Sequence, residues 1–398
     1  MRTFRCRLLV TTALTLVGCL AAVEPALAQA KSEPIKITVG GFVSQFVSYA
    51  SQDDVGNRDA GRSGKLLELD QHSDQEIHFN GRTTLANGVT FGLRIELEGN
   101  TDNDQIDESY LFIESKFGRI ELGKINNVMY KMHFEAPESF TKKWLTDDGN
   151  LTNVIVNPTA SPSLDSTLIS TKVRFFDNDS DKINYYTPRF AGFQLGLSYI
   201  PDSSQDTASP TSVSSAYTEG YAASVNFVRA FGNFDVAAAV GYMAWSGPQL
   251  TATTSAPDPY VVNAGFQLGY AGFRVGAGWA EIRDGRTGSA GTAGPSSAGT
   301  GPNKVEGRAW NVGGSYSYGP GEASLTYVDG RNDSSPVAGP AFGDDRFTGL
   351  SLAGKYILGP GVNFEGVLFH VDFDGNGSTA STSSNTATGG VVGLLLNF

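Results

Sequence analysis

The sequence predicts an all-β protein, a sixteen-stranded antiparallel transmembrane β-barrel with its third long loop folded into the lumen. Runs of roughly ten residues alternate between apolar and polar side chains, as expected of strands with lipid on one side and water on the other. Tight turns of Gly, Asn and Pro alternate with long polar loops along the chain. Aromatic residues collect at the strand ends, as in the interfacial girdles of membrane barrels.

The first three strands follow from strict alternation. The first runs over Ile35–Tyr49, and the second carries Ile77 and Phe79 on one face with charged and polar residues on the other. The third alternates most regularly, from Phe91 to Leu97. Successive side chains of a strand point to opposite sides of the sheet, so one face of each strand is apolar and the other polar. Asn87-Gly88 predicts a two-residue hairpin turn between the second and third strands.

Thirteen further strands complete the predicted set. They are Tyr110–Ser115, Arg119–Ile125, Lys182–Thr187, Phe193–Tyr199, Tyr221–Phe231, Phe234–Ser246, Tyr260–Tyr270, Phe273–Arg283, Arg308–Tyr318, Glu322–Asp329, Arg346–Leu358, Val362–Phe373 and Gly389–Phe398. Because the count is even, both termini are expected on the rim with the short turns. Short turns on one rim and long loops on the other are typical of bacterial outer-membrane barrels. A soluble β-sandwich would enclose its apolar faces, whereas here the polar faces are the enclosed ones.

The longest interruption of this rhythm covers about residues 128–172, where no strand alternation is visible. A loop of that length inside a compact β pattern is more often functional than accidental. We expect it to fold into the lumen and to form a constriction.

Residues 1–28 are predicted to be a signal peptide. Three arginines precede an apolar stretch from Leu8 to Leu20, and Ala26-Leu27-Ala28 provides a cleavage site. An alternative is a lipoprotein signal at Leu16-Val17-Gly18-Cys19, with Cys19 acylated. Residues 29–398 would then form the barrel. Both cysteines lie in the first segment, so neither disulfides nor cysteine-bound metal is expected in the mature chain.

Charge and motif content exclude several classes of function. Removal of the signal takes away three arginines and one glutamate and leaves 26 Lys and Arg against 40 Asp and Glu, a net charge of −14. This argues against nucleic acid as a partner. No apolar run of about 18 residues follows the signal, so a helical membrane span is not expected. The four histidines are scattered and no Gly-x-Ser-x-Gly elbow occurs, so we expect no enzyme activity.

Three segments carry a resemblance to a known family. They are Phe117-Gly118-Arg119-Ile120-Glu121-Leu122-Gly123-Lys124, Ile183-Asn184-Tyr185-Tyr186-Thr187-Pro188-Arg189-Phe190-Ala191-Gly192-Phe193, and the alternating last strand that ends in Phe398. Together with the strand rhythm they resemble the general porins of Gram-negative outer membranes. The resemblance implies a homotrimeric channel for passive diffusion of small hydrophilic solutes and ions. It also implies contact with outer-membrane lipid and lipopolysaccharide.

The resemblance further implies a constriction in which acidic loop residues face a basic cluster on the opposite wall. The acidic loop residues are Glu135, Glu138, Asp147, Asp148 and Asp165. The candidates for the basic wall are Arg82, Arg94, Lys124 and Arg174. The chain departs from this pattern with the wall carboxylates Glu76, Glu96, Glu98, Glu108 and Glu121. Strict alternation from Ile120 points Lys124 outward, which makes it the weakest of these candidates. The many wall carboxylates favour a preference for cations.

Some alternatives stay open at this point. The channel could be specific for one substrate, because Phe42, Phe46, Tyr110 and Phe112 alternate inward and a sugar path needs inward aromatics. A surface adhesin or structural barrel without conductance is a second alternative. No cofactor is expected, although calcium could bind the acidic loops.

Overall fold

The computed structural model describes residues 34–53, 67–99, 105–141, 145–146, 151, 154–155, 170–172, 180–203, 217–247, 257–286, 304–333, 344–374 and 384–398. Within these residues it contains sixteen strands and one short helix. The strands are β1 Lys36–Gln52, β2 Leu69–Thr84, β3 Thr90–Glu98, β4 Ile106–Ser115, β5 Gly118–Lys124, β6 Asp181–Tyr186, β7 Phe193–Asp202, β8 Thr218–Phe231, β9 Phe234–Ser246, β10 Tyr260–Tyr270, β11 Phe273–Arg286, β12 Lys304–Tyr318, β13 Gly321–Asp333, β14 Asp344–Gly359, β15 Val362–Asp374 and β16 Ser384–Asn397.

The sixteen strands form one closed barrel. Each strand pairs antiparallel with its neighbours in sequence, and β16 pairs with β1 to close the ring. The closure reaches the end of the chain, where the Gly41 N–H donates to the Phe398 carbonyl oxygen and the Phe398 N–H donates to the Gly41 carbonyl oxygen, both at 3.1 Å. The predicted fold class is confirmed, and a closed ring leaves no sheet edge unpaired.

The two faces of the barrel differ as the alternation predicts. Large apolar side chains are exposed on the outward positions, for example Leu325, Leu352 and Leu368, which are 54%, 53% and 62% exposed. The alternate positions face inward and carry small or polar residues such as Ser324 and Asn311, which are buried. In water an exposed apolar face of this extent would be unfavourable, whereas in lipid it is the stable arrangement.

The tight turns occur where the sequence predicts them. Ala271 and Gly272 both have positive φ, 51° and 86°, and they join β10 to β11 with Tyr270 paired to Phe273. Two positive φ values give the twist that a two-residue hairpin needs.

The helix α1, Val128–Lys131, begins directly after β5 and its following loop. Asn127 caps its first turn, because its side chain accepts a hydrogen bond from the Tyr130 N–H at 2.9 Å. Among the described residues, no helix is both long and apolar enough to cross a membrane.

Candidate functional site in the lumen

Residues 127–141, which we call the belt, run along the inward face of the barrel wall. The belt starts at β7, where the Val128 N–H donates to Ser198 Oγ at 3.0 Å. It then passes β8, where Asn226 Nδ2 donates to the Met132 carbonyl oxygen at 3.4 Å. The apolar side of α1 packs here, since Val128, Met129 and Met132 belong to one buried cluster with inward residues of β8–β11.

The belt continues across β10 and β12 in the order of the strands. Gln267 Nε2 on β10 donates to the Glu135 carbonyl oxygen at 2.8 Å. The Ala136 N–H donates to Asn311 Oδ1 on β12 at 2.9 Å. Each contact joins belt backbone to an inward side chain, so the belt lies flat against the wall.

The last part of the belt contacts β13, β15 and β1. The Ser139 N–H donates to Ser324 Oγ at 2.8 Å, and the Thr141 N–H donates to Glu365 Oε2 at 3.0 Å. The ring of Phe140 packs on Phe46 of β1 with centroids 5.1 Å apart. The described belt therefore contacts the wall from β7 to β15 and reaches β1.

Glycines on the inward face make room for the belt at its closest approach. A Cβ on Gly265 would lie 1.7 Å from the Phe134 carbonyl oxygen, and a Cβ on Gly276 would lie 2.8 Å from the Glu135 carbonyl oxygen. Any larger residue at position 265 would push the backbone of the belt away from the wall.

The two predicted loop carboxylates that the structure describes are bonded within the protein. Glu135 is 1% exposed, and its carboxylate accepts from Thr171 Oγ1 at 3.2 Å and from Asn311 Nδ2 at 3.4 Å. Lys172 Nζ lies 3.8 Å from the same carboxylate. The Glu138 carboxylate accepts from the Leu145 N–H at 3.1 Å and from Ser351 Oγ at 3.0 Å. Both carboxylates hold the belt in place.

Glu121 is the centre of a buried ion cluster on the wall. Its side chain is 3% exposed, and it accepts from Arg119 Nε at 2.8 Å and from Lys131 Nζ at 2.9 Å. Asn184 Nδ2 on β6 is a third donor at 3.3 Å. Because Lys131 belongs to α1, this cluster fixes the start of the belt to β5. A buried carboxylate is stable only with partners of this kind.

A second charged cluster lies on β2 and β3. The Arg94 guanidinium donates to Glu96 Oε1, and its Nη2 lies 3.2 Å from His78 Nδ1. Since a guanidinium has no acceptor, His78 Nδ1 must accept this bond and the ring proton must lie on Nε2. Nε2 then donates to Glu76 Oε2 at 2.8 Å.

Among the described residues, one group has metal-ligating atoms close enough together to hold a metal ion, and it lies in this second cluster. A carboxylate oxygen of Glu76, a ring nitrogen of His78 and a carboxylate oxygen of Glu96 lie within 4.8 Å of one another. However, Arg94 already binds both His78 and Glu96, so a cation would have to compete with it.

The remaining predicted wall residues have different surroundings. Glu108 accepts from the Asn126 N–H at 3.1 Å and from Asn126 Nδ2 at 3.0 Å, so it holds the chain between β5 and α1. Arg82 is 58% exposed and lies 3.5 Å from Glu114. Glu98 pairs in register with Glu76 and shares its inward face.

Lys124 alternates with Ile120 and Leu122 on the outward positions of β5, as the alternation predicts. Its side chain is nevertheless buried, and Nζ donates to the Ile106 carbonyl oxygen. Four predicted site residues lie outside the described residues: Asp147, Asp148, Asp165 and Arg174.

Taken together, the inward positions of β2–β5 are acidic. In the described part of the chain they carry three arginines, Arg82, Arg94 and Arg119, and eight carboxylates, Asp70, Asp74, Glu76, Glu96, Glu98, Glu108, Glu114 and Glu121. Each of the three arginines has a glutamate partner within 3.6 Å. The positive charge of this wall is therefore compensated locally, and an excess of carboxylates faces the lumen.

Arg119 and Glu114 were missed by the sequence prediction, although a signal existed. Both lie on the polar face of a strand that alternates cleanly, next to the turn at Lys116-Phe117-Gly118. Arg119 also stacks on Phe112, with its guanidinium carbon 3.8 Å from the ring centroid.

The inward aromatics are occupied by other contacts. Phe46 packs on Phe140 of the belt, and Phe112 is covered by Arg119. Lys131 Nζ lies 5.5 Å from the ring of Tyr110, and the ring of Phe42 meets His78 edge-on at 6.2 Å. These four rings do not form a continuous exposed track among the described residues.

Comparison with known proteins agrees with this architecture. A family profile described as Gram-negative porin matches residues 11–376. An anion-selective porin from Comamonas acidovorans superposes with a TM-score of 0.56 at 16% identity, covering 92% of this chain and 100% of that one. The outer membrane channel DcaP of Acinetobacter baumannii gives 0.57 at 13% identity, covering 92% and 97%. The trimer form of OmpT from Vibrio cholerae gives 0.55 at 12% identity, covering 92% and 100%.

A sequence comparison adds one relative, an uncharacterized protein of Rickettsia bellii (strain RML369-C). It is 28% identical over 136 residues, which are 30% of this chain. The chain thus spans about a third of that relative's length, 31%.

Proposed function

The chain belongs to the Gram-negative porin family, and on the charges of its lumen we propose that it is a passive diffusion channel that prefers cations. The family places it in the outer membrane, and both the family and the fold are those of channel proteins. The solutes we propose are small, hydrophilic molecules and ions. The observation that carries the cation preference is the excess of carboxylates on the inward faces of β2–β5.

The electrostatic argument depends on the position of the belt. A channel selects by the width and charge of its narrowest part. Most of the described belt contacts are with β7–β15, and Lys131 bonds the start of the belt to β5. We therefore propose that solutes that pass the belt move along the charged wall of β2–β5. Carboxylates there attract cations and repel anions, and the three arginines of that wall are each paired with a glutamate. The carboxylates of Glu135 and Glu138 are hydrogen-bonded within the protein. They therefore contribute less to the electrostatic field of the pore than the carboxylates of the wall do.

General diffusion is favoured over a sugar-specific path. A sugar path needs a line of exposed aromatic faces, and the four inward rings named above are engaged by the belt, by basic side chains or by a histidine. We further propose that conduction needs no cofactor, because side chains of the wall supply the charges it requires.

We also propose that the protein is a homotrimer. Support comes from the relative whose structure is described as a trimer form, OmpT of Vibrio cholerae, which shares the fold over 92% of this chain. Mass measurement by light scattering in detergent, with chemical crosslinking of membranes, tests this proposal. A monomeric mass with no crosslinked species would contradict it.

Planar bilayer recording of the purified protein tests the channel function. We expect large ohmic openings, unchanged by EDTA, and a reversal potential across a KCl gradient that shows K⁺ to be more permeant than Cl⁻. The preference should weaken from 0.1 M to 1 M salt, because the Debye length falls from about 10 Å to about 3 Å. A reversal potential of the opposite sign would contradict the cation preference but not the channel. Absence of conductance from folded protein would contradict the channel itself.

A further inference from the structure

The cluster on β2 and β3 brings one imidazole and two carboxylates together on the inward side of the barrel wall. His78 and Glu96 are directly opposite each other in the register of the two strands. Glu76 lies two residues before His78 and therefore on the same face of β2. One ligating atom from each of these three side chains lies within 4.8 Å of the other two.

The types of ligand in this cluster select the class of metal. Ca²⁺ and Mg²⁺ take oxygen ligands, whereas imidazole combined with carboxylate suits Zn²⁺, Ni²⁺ and Cu²⁺. In a tetrahedral zinc site with bonds of about 2.1 Å, two ligand atoms are roughly 3.4 Å apart. The three atoms of the cluster therefore have to approach one another by about 1.4 Å at most. Side-chain rotation suffices for this, and water fills the fourth position.

The guanidinium of Arg94 already lies where a cation would bind. Its Nε donates to Glu96 Oε1, and its Nη2 donates to His78 Nδ1 at 3.2 Å. Glu76 orients the same imidazole from the other side, because its carboxylate accepts from His78 Nε2 at 2.8 Å. The Arg94 side chain is 34% exposed, so it can turn into the lumen and leave the two strands in place.

The charges of the cluster favour a divalent ion over the guanidinium. With His78 neutral, the ionised carboxylates of Glu76 and Glu96 carry two negative charges, and Arg94 supplies one positive charge. Glu98, which is in register with Glu76, adds a further carboxylate to this face. A divalent ion neutralises both carboxylates of the cluster, which a single guanidinium does not.

From this geometry we propose that Glu76, His78 and Glu96 bind a divalent transition-metal ion of the Zn²⁺ type, which displaces the guanidinium of Arg94. The ion reaches the site from the lumen. Bound there, it adds two positive charges to the wall of β2–β5 and thereby lowers the preference of the channel for cations. This last consequence rests on the proposed function, whereas the binding itself does not.

Calorimetric titration of the full-length protein in detergent micelles with ZnCl₂ tests the site. We expect His78→Gln to bind Zn²⁺ at least about tenfold more weakly than the unsubstituted protein, because it loses the nitrogen ligand. Arg94→Gln should bind Zn²⁺ about tenfold more tightly, because it removes a positive charge from the site. The unsubstituted protein should bind Ca²⁺ at least about tenfold more weakly than Zn²⁺.

His370→Gln is the matched control. His370 lies on an exposed, outward position of β15, and its Nδ1 is 2.7 Å from Thr388 Oγ1. We expect this variant to bind Zn²⁺ like the unsubstituted protein. Equal zinc affinity of His78→Gln and the unsubstituted protein would overturn the site, and so would equal affinity for Zn²⁺ and Ca²⁺. Unchanged or weaker binding by Arg94→Gln would overturn the displacement of Arg94. Circular dichroism and heat-modified gel mobility check that each variant is folded.

Planar bilayer recording with and without Zn²⁺ separates the metal site from the channel. We expect Zn²⁺ to lower the ratio of K⁺ to Cl⁻ permeability in the unsubstituted protein and in His370→Gln, and to have a smaller effect in His78→Gln at the same concentration. An unchanged ratio in protein that binds Zn²⁺ by calorimetry would overturn the position of the site on the conducting wall. Zinc binding without any conductance would overturn the proposed channel and support the metal site.

Discussion

Gly265 on β10 faces the carbonyl oxygen of Phe134 so closely that a Cβ at position 265 would lie 1.7 Å from that oxygen. The contact joins a wall strand to the backbone of the belt without any side chain between them. A substitution at position 265 is therefore the most direct test of whether the belt sets the width of the channel.

Gly265→Val should displace the belt from the wall. We expect the free energy of unfolding to fall by roughly 1–3 kcal/mol, the usual cost of overpacking, and single-channel conductance to change because the belt moves into the lumen. Gly354→Ala is the control, since a Cβ there would have its nearest neighbour at an ordinary 3.6 Å. Unchanged conductance and stability of Gly265→Val would contradict this account of the belt.

Asn311→Ala should loosen the middle of the belt. The substitution removes the acceptor of the Ala136 N–H and a donor to Glu135, and it leaves both groups buried. We expect a loss of about 1–3 kcal/mol in unfolding free energy, measured by urea unfolding of the refolded protein. Asn363→Ala is the control, because Asn363 is also inward but makes no side-chain hydrogen bond with the described residues. Equal losses in the two variants would show that the Asn311 bonds add nothing specific.

Glu121→Gln should weaken the attachment of α1 to β5. Lys131 and Arg119 would lose their shared carboxylate, and since both cations are partly exposed we expect a loss of roughly 1–3 kcal/mol. The thermal unfolding midpoint measures it. Glu114→Gln removes a carboxylate that is 44% exposed and should change stability by less than about 0.5 kcal/mol. A larger loss of stability in Glu114→Gln than in Glu121→Gln would contradict the proposal that the buried carboxylate of Glu121 is the more important of the two.

Glu98→Gln should reduce cation preference without changing the fold. One charge at about 7 Å from an ion in water contributes about 0.6 kcal/mol, which favours K⁺ and disfavours Cl⁻. The ratio of K⁺ to Cl⁻ permeability should therefore fall by roughly sevenfold in the absence of salt screening. The reversal potential in a salt gradient reports this ratio. Glu281→Gln removes an outward carboxylate and should leave the ratio unchanged. A shift in the control as large as in Glu98→Gln would mean that the inward face is not the source of selectivity.

The sequence predicts the strands and their faces well, because strand periodicity is local. Lys124 lies four residues after the outward Ile120, so the period of two of a strand predicts that it also points outward. The hairpin between β10 and β11 is predicted from its two turn residues alone, Ala271 and Gly272. The course of the belt could not be predicted in this way. Ala136 finds its partner 175 residues further along the chain, at Asn311, and no local pattern links the two.

The same limitation affects the predicted site. Glu135 and Glu138 were expected to face the pore because they are acidic residues in a long loop. Their burial and bonding depend on Asn311, Thr171 and Ser351, which only the closed barrel brings near. Whether they and Asp147, Asp148 and Asp165 tune the constriction stays a prediction. The acidic wall was easier to recognise, because its charges alternate along regular strands.

The course of the belt has a consequence for biogenesis. Thr141 bonds to Glu365, 224 residues later in the chain, and Phe140 packs on Phe46 of the first strand. Contacts this distant in sequence form late, since the loop between them must close first. We therefore expect the end of the belt at Thr141 to dock only after β15 has entered the sheet, and its backbone to be open to proteases until then. Newly inserted barrels should pass through a wide-open, cleavable stage before they narrow to their final width.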